Sequence, residues 1–153
     1  MARTPELLLT QSVLDRLNNT DTWPVTRTES IRFLRNSIKQ NLEWVLNTRR
    51  PPLEDTANYP HASRSVINYG LMDMTSLSPS STQDRKLLIQ NIAEVVEWFE
   101  PRLHSVAIRV EEGDLNRKEL RFYIEAYIHM KPAPEEVTFS SVLDLTSGEY
   151  QLE

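Results

Sequence analysis

Glu97 and Glu100 stand three residues apart near the end of an apolar-striped segment, a spacing that brings two carboxylates onto one face of a helix. Two carboxyl groups roughly 5–9.5 Å apart are what glycoside hydrolysis uses, one to protonate the leaving oxygen and one to attack or to activate water. A chain with 22 acidic residues offers such pairs readily by chance, so the spacing alone is a weak sign of a cell-wall muramidase. His61, His104 and His129 fall in a loop, at a strand start and on a polar strand face. They lack metal-ligand spacing and read as surface or corner residues. The absence of cysteine excludes disulfides, thiolate zinc sites and a cysteine nucleophile. No G-x-S-x-G, H-E-x-x-H or Walker pattern occurs, and three glycines leave no phosphate-binding loop. The reading therefore assigns no catalytic, cofactor-binding or metal residue.

What remains is recognition chemistry at two corners. Glu100, Pro101 and Arg102 follow an amphipathic helix that must stop at about Phe99, because Pro101 lacks an N–H and drives Glu100 out of the α region. A carboxylate at a helix C-terminus meets the negative end of the dipole, at a cost of about 0.3–1 kcal/mol when exposed. That breach of a local rule marks Glu100 and Arg102 either as a recognition corner or as a surface staple in which the arginine neutralises the acid. Asn68, Tyr69 and Gly70 form the second corner, either a binding turn or a packed turn with Tyr69 in the core and Gly70 as a left-handed cap.

The elements that hold these corners follow from periodicity. Leu88, Ile92, Val95, Val96 and Phe99 form one helical stripe, with Ser80 or Ser81 as its N-cap. Upstream, Thr26 and Glu29 make a capping box that opens the longest helix, striped by Ile31, Leu34, Ile38, Leu42 and Val45. Arg32, Arg35, Lys39 and Glu43 are its solvated face, and Trp44 reads as core or core edge. Ser12 to Leu17 is a short helix on a docking arm spanning about residues 1–24. Prolines 51, 52 and 60 predict a stiff irregular loop over 47–60. After residue 103 the period changes to two in three runs, carried by Val106–Val110, Phe122–Met130 and Val137–Leu145, with Tyr150 to Leu152 able to fold back as a fourth strand. The expected architecture is α+β, N-terminal helices packed on a small C-terminal antiparallel sheet of three to four strands. Its edge strands can pair with another chain, and Glu111, Glu112, Glu135 and Glu136 either guard those edges or flank a docking site.

At 153 residues the chain suits a single domain, 1–153, with its own core. A net charge of −5 speaks against nucleic-acid binding, and no apolar run approaches the ~20 residues that a membrane span needs. With no signal peptide apparent, the cytoplasm is the expected compartment.

Four motifs in order carry a resemblance: Ser12-Val13-Leu14-Asp15-Arg16-Leu17, Leu42 to Arg49, Ser65 to Gly70, and Phe99-Glu100-Pro101-Arg102-Leu103. Together they resemble the gene 25-like family of contractile-tail baseplate wedge proteins, in its type VI secretion (TssE) branch, whose hallmark Glu-Pro-Arg triplet is intact here. The resemblance implies a structural role without catalysis or cofactor. It implies wedge partners TssF and TssG, TssK as the link to the membrane complex, and a six-fold baseplate. It also implies that the small sheet starts the contractile sheath by exchanging strands with TssB and TssC, with Glu100 and Arg102 at an interface. A phage-like contractile particle is the alternative setting.

Overall fold

The computed structural model describes residues 12–18, 24–52, 58–73, 81–111, 119–130, 133–144 and 148–152. The chain divides into two compact units, Met1–Asn41 and Leu42–Glu153, and the boundary falls inside one long helix.

In the first unit, α1 (Val13–Asn18) is opened by Ser12, whose hydroxyl donates to Asp15 at 2.7 Å while accepting from the Asp15 N–H at 3.1 Å. The same carboxylate accepts from the Ser37 hydroxyl at 2.6 Å, which fastens the short helix to the longer one. Six residues are too few to hold a helix by themselves, so this tether matters. Helix α1 shows its apolar side to solvent, with Val13, Leu14 and Leu17 all exposed, and the rest of the expected arm, 1–11 and 19–23, lies outside the described residues. Helix α2 (Arg27–Asn47) starts with the expected box. Thr26 Oγ1 accepts from the Glu29 N–H at 3.2 Å, and Glu29 Oε2 accepts from the Val25 and Thr26 N–H groups at 2.9 and 3.2 Å. Those backbone donors hold the Glu29 carboxyl below the usual glutamate range.

In the second unit, Leu42, Val45 and Leu46 of α2 are buried. Burying a side chain of this kind is worth about 1.5–3 kcal/mol each. Trp44 departs from the core assignment: it is 52% exposed, because Leu46 takes the inward place beside Val45 and turns residue 44 to solvent. The proline-rich loop also carries more structure than expected. Arg49 and Leu71 form a parallel bridge, and α3 (Pro60–Ser63) starts on Pro60, whose missing N–H costs nothing in a first turn. Its middle, residues 53–57, lies outside the described residues.

Helix α4 (Thr82–Phe99) begins at Ser81, which accepts from the Asp84 N–H at 3.2 Å. It ends where Pro101 requires. Leu88, Ile92, Val95 and Val96 are buried, together with Asn91 in the same stripe. Strands β1 (Leu103–Glu111), β2 (Glu119–Ile128), β3 (Glu135–Asp144) and β4 (Tyr150–Leu152) form an antiparallel meander in the order β1-β2-β3-β4. Alternation holds on the inner face, where Phe122, Ile124, Ala126, Ile128, Val137, Phe139, Leu143, Tyr150 and Leu152 are all buried. A bulge interrupts β1 between His104 and Ala107, with Ser105 at φ 54°.

Candidate functional site

The site grows from the way α4 ends. Glu100 caps the helix with its N–H donating to the Val96 carbonyl at 2.9 Å, and its own carbonyl accepts from the Leu103 N–H at 3.0 Å as the chain enters β1. Pro101 is exposed between these bonds and keeps the corner rigid. Across it, Arg102 reaches back to the acid in a fork: Nε donates to Oε1 and the second nitrogen Nη2 to Oε2, both at 2.6 Å. The Glu100 side chain is 2% exposed and that of Arg102 25%.

Arg102 neutralises Glu100 as the staple alternative expected, but the pair is internal on the side of the acid. The carboxylate is inside the protein, and the Arg102 side chain is partly exposed. A bidentate pair fixes geometry as well as charge, and it offsets both the desolvation of Glu100 and the unfavourable helix end on which it sits.

The second predicted corner comes to the first. Val66–Asn68 forms a 3₁₀ turn capped by the Ser65 hydroxyl, and Asn68 is buried. Tyr69, half-buried, packs edge-on against Phe99 with ring centroids 5.1 Å apart. Its phenol is raised above the usual tyrosine range, first by burial and second by the negative charge of Glu100. The core plug expected of Tyr69 is thus a partial one, sealing the last turn of α4 beside the acid.

Gly70 does more than terminate a turn. It lies at φ +103°, and a Cβ there would collide with the Thr48 carbonyl oxygen and stand 2.7 Å from its carbon. That close approach lets the Leu71 N–H donate to the Thr48 carbonyl and the Arg50 N–H donate to the Leu71 carbonyl, both at 2.9 Å. The segment after the turn is held on its other side by Asn91, whose Oδ1 accepts from the Met72 N–H at 3.1 Å. All six predicted residues lie in the second unit: Tyr69 packs on Phe99 at the end of α4, Gly70 is pressed against Thr48, Asn68 is buried in its turn, and Glu100, Pro101 and Arg102 lead α4 into the sheet.

Residues that the sequence reading passed over complete the frame. Asn91 was legible as a polar residue inside an apolar stripe. Asn47 had no such signal. Its side-chain amide donates to the Tyr150 carbonyl and accepts from the Tyr150 N–H, both at 2.9 Å, across more than a hundred residues. Arg49 adds a bond to the Gly148 carbonyl and lies 5.9 Å from the centre of the Tyr150 ring. Burial pushes the Tyr150 phenol up to about 12, against the opposing pull of Arg49.

The catalytic alternative finds no matching geometry. Glu97 is exposed and Glu100 is buried, with both oxygens taken by Arg102, so the two carboxylates do not face one cleft. His104 and His129 meet edge-on with ring centroids 6.1 Å apart, a pairing that residue spacing did not reveal. Among the described residues no group of three or more His, Asp or Glu is placed to hold a metal ion, and no helix is long and apolar enough to cross a membrane.

Comparison with known proteins gives one family. The family model described as baseplate wedge protein gp25 matches residues 32–133, a span that includes both corners. No curated protein matches the chain. Among solved structures, the chain is similar to a Geobacter sulfurreducens protein described, as a proposed role, as a tail lysozyme. The identity is 16% over 70% of this chain and 88% of that one, with a TM-score of 0.47.

Proposed function

The chain belongs to the gp25 family of baseplate wedge proteins, and on that premise we propose that it is a non-catalytic wedge subunit of a type VI secretion baseplate. Family membership itself carries a structural role in a baseplate. The finer assignment draws on the Ser12–Leu17 motif and the Trp44 helix, which resemble the secretion branch more than the phage branch. In this reading the subunit packs with TssF and TssG in a wedge, the six-fold ring of wedges is linked by TssK to the membrane complex, and the assembly sits on the cytoplasmic side of the inner membrane. The sheet then offers an edge to strands of the sheath subunits TssB and TssC, so that backbone hydrogen bonds start the sheath.

The observation that carries the reading against catalysis is the closed pair at the corner. An acid buried 98% of the way and forked by an arginine supports the shape of a joint; it offers no free carboxyl oxygen to a sugar. The joint sets the angle at which α4 enters the sheet, and that angle presents the exposed Pro101 and the solvent side of Arg102 to a neighbouring subunit.

Co-purification with TssF and TssG tests the assignment. Wild-type protein is expected to be retained in a stable ternary complex. Trp44→Ser, which removes an exposed aromatic without disturbing the buried face of α2, is the folded variant against which a contact on that helix is judged. Failure of the wild type to join TssF and TssG refutes the wedge assignment, and peptidoglycan turnover that disappears in Glu100→Gln refutes the non-catalytic one.

A further inference from the structure

Two of the three histidines meet on the outer face of the sheet, and a structural role in a baseplate makes no use of them. His104 is the second residue of β1 and lies opposite Tyr127 of β2. His129 is the first residue past the end of β2, two places beyond Tyr127, and alternation puts it on the same side of the sheet. Both are exposed, and their rings meet at 86° with centroids 6.1 Å apart.

The backbone behind this meeting is irregular. The register between β1 and β2 slips immediately after His104, and Ser105 within the slip holds φ 54° although it carries a side chain. A bulge re-aims the side chains beside it, and left-handed backbone outside glycine is strain of a kind that collects at ligand sites. A regular start to β1 would have needed neither.

Neutral imidazole offers one ring nitrogen as a lone-pair donor and is the commonest metal ligand in proteins. A metal–nitrogen bond of about 2 Å puts each ring centre about 3 Å from the ion, so two imidazoles at a tetrahedral angle have centres about 5 Å apart. From 6.1 Å the pair has to close by roughly 1 Å and turn one ring out of the edge-on contact. Exposed histidines make such a movement readily, because χ2 is broad and surface rotamers interchange fast. Glu136 stands opposite Tyr127 on β3, exposed on the same face, and its negative charge favours a cation there. Among the described residues no third ligand is already placed with the pair, so water or a group from a neighbouring molecule completes the shell. Imidazole nitrogen selects zinc, nickel or copper over magnesium and calcium, which take oxygen.

We propose that His104 and His129 form a two-histidine site for a divalent transition ion of the zinc, nickel and copper group. The bound ion ties the start of β1 to the end of β2, two residues beyond Arg102. The site stands apart from the baseplate assignment and does not depend on it.

Calorimetric titration of the full, untagged chain with Zn²⁺ tests it. Saturable uptake of one ion per chain is expected, reversed by a chelator, with no uptake of Mg²⁺. His104→Asn and His129→Asn, both at exposed positions, are each expected to weaken binding about tenfold or more, since losing even an outer partner of a ligand costs that much. His61→Asn, exposed on α3, leaves binding unaltered. Zn²⁺ is expected to raise the melting temperature of the wild type and of neither strand variant, because an ion held only by the folded pair stabilises the fold. Circular dichroism checks that the variants fold. If they do not, nuclear magnetic resonance of the wild type decides, with the ring signals of His104 and His129 shifting together on Zn²⁺ addition and those of His61 staying in place. Absence of saturable uptake by the wild type overturns the site. Uptake that survives in either folded strand variant, or ring shifts in only one of the two histidines, overturns the pairing.

Discussion

Arg102→Ala is the substitution that most directly probes the corner. It removes two charge-assisted donors at 2.6 Å from a carboxylate that is 2% exposed. Truncating one partner of a buried pair costs about 3–5 kcal/mol, because the remaining charge stays in a poor solvent. The arginine is 25% exposed, so water reaches part of the vacated space, and the lower end, about 3 kcal/mol, is the expected loss. For a chain of this size each kcal/mol moves the melting temperature by about 2–4 °C, which gives a fall of about 6–12 °C. Urea denaturation followed by circular dichroism measures the same quantity as a shift in midpoint at constant slope. The double substitution Glu100→Met with Arg102→Met supplies the internal control. It removes both charges and is expected to recover most of the loss, since apolar replacement of a whole buried pair is often neutral or stabilising. A loss below about 0.5 kcal/mol for Arg102→Ala is what an exposed pair gives, and it would refute the claim that the fork supports the helix end. Interface assays on this arginine therefore need a stability measurement beside them.

Gly70→Ala forces a side chain onto a backbone at φ +103° and into the Thr48 carbonyl; strain and steric displacement together predict a loss of at least about 2 kcal/mol, and a melting temperature equal to the wild type's refutes the close approach. Tyr150→Phe tests a buried hydroxyl that has no hydrogen-bond partner. The folded phenol titrates at about 12 against about 10 unfolded, so the folded state holds its proton more tightly. Its stabilising contribution is then complete below pH 10 and is lost as pH rises from 10 through 12, by roughly 2–3 kcal/mol in all. Denaturation at pH 9 and pH 11.5 should show the variant losing less stability than the wild type over that interval; equal losses refute the burial argument. Asn47→Ala removes two hydrogen bonds from Tyr150, with an expected cost of about 1–3 kcal/mol and faster amide exchange at Tyr150–Leu152. Unchanged exchange there rules out the strand-like clamp. Ser81→Ala should cost about 1 kcal/mol through loss of the α4 cap, and it places no group near the corner.

Periodicity and local stereochemistry decided a large share of this protein from sequence alone. Proline 101 could only end α4 where it does, the Thr26–Glu29 pair could only be a helix start, and the change from period 3.6 to period 2 after residue 103 separated helices from meander. These are short-range effects, set by residues within a turn of one another. The burial of Glu100 was a different matter. The same five residues around Pro101 allow an exposed staple or an internal pair, and only the folded chain, in which Glu100 is 2% exposed, shows the second. Trp44 faces outward for a similar reason, since Leu46 and Val45 filled the inward places and a single stripe cannot say which apolar neighbour yields. The pairing of Asn47 with Tyr150, the collision that reserves position 70 for glycine and the meeting of His104 with His129 join residues far apart in the chain or across strands. No local propensity encodes those distances, so only the tertiary structure could supply them.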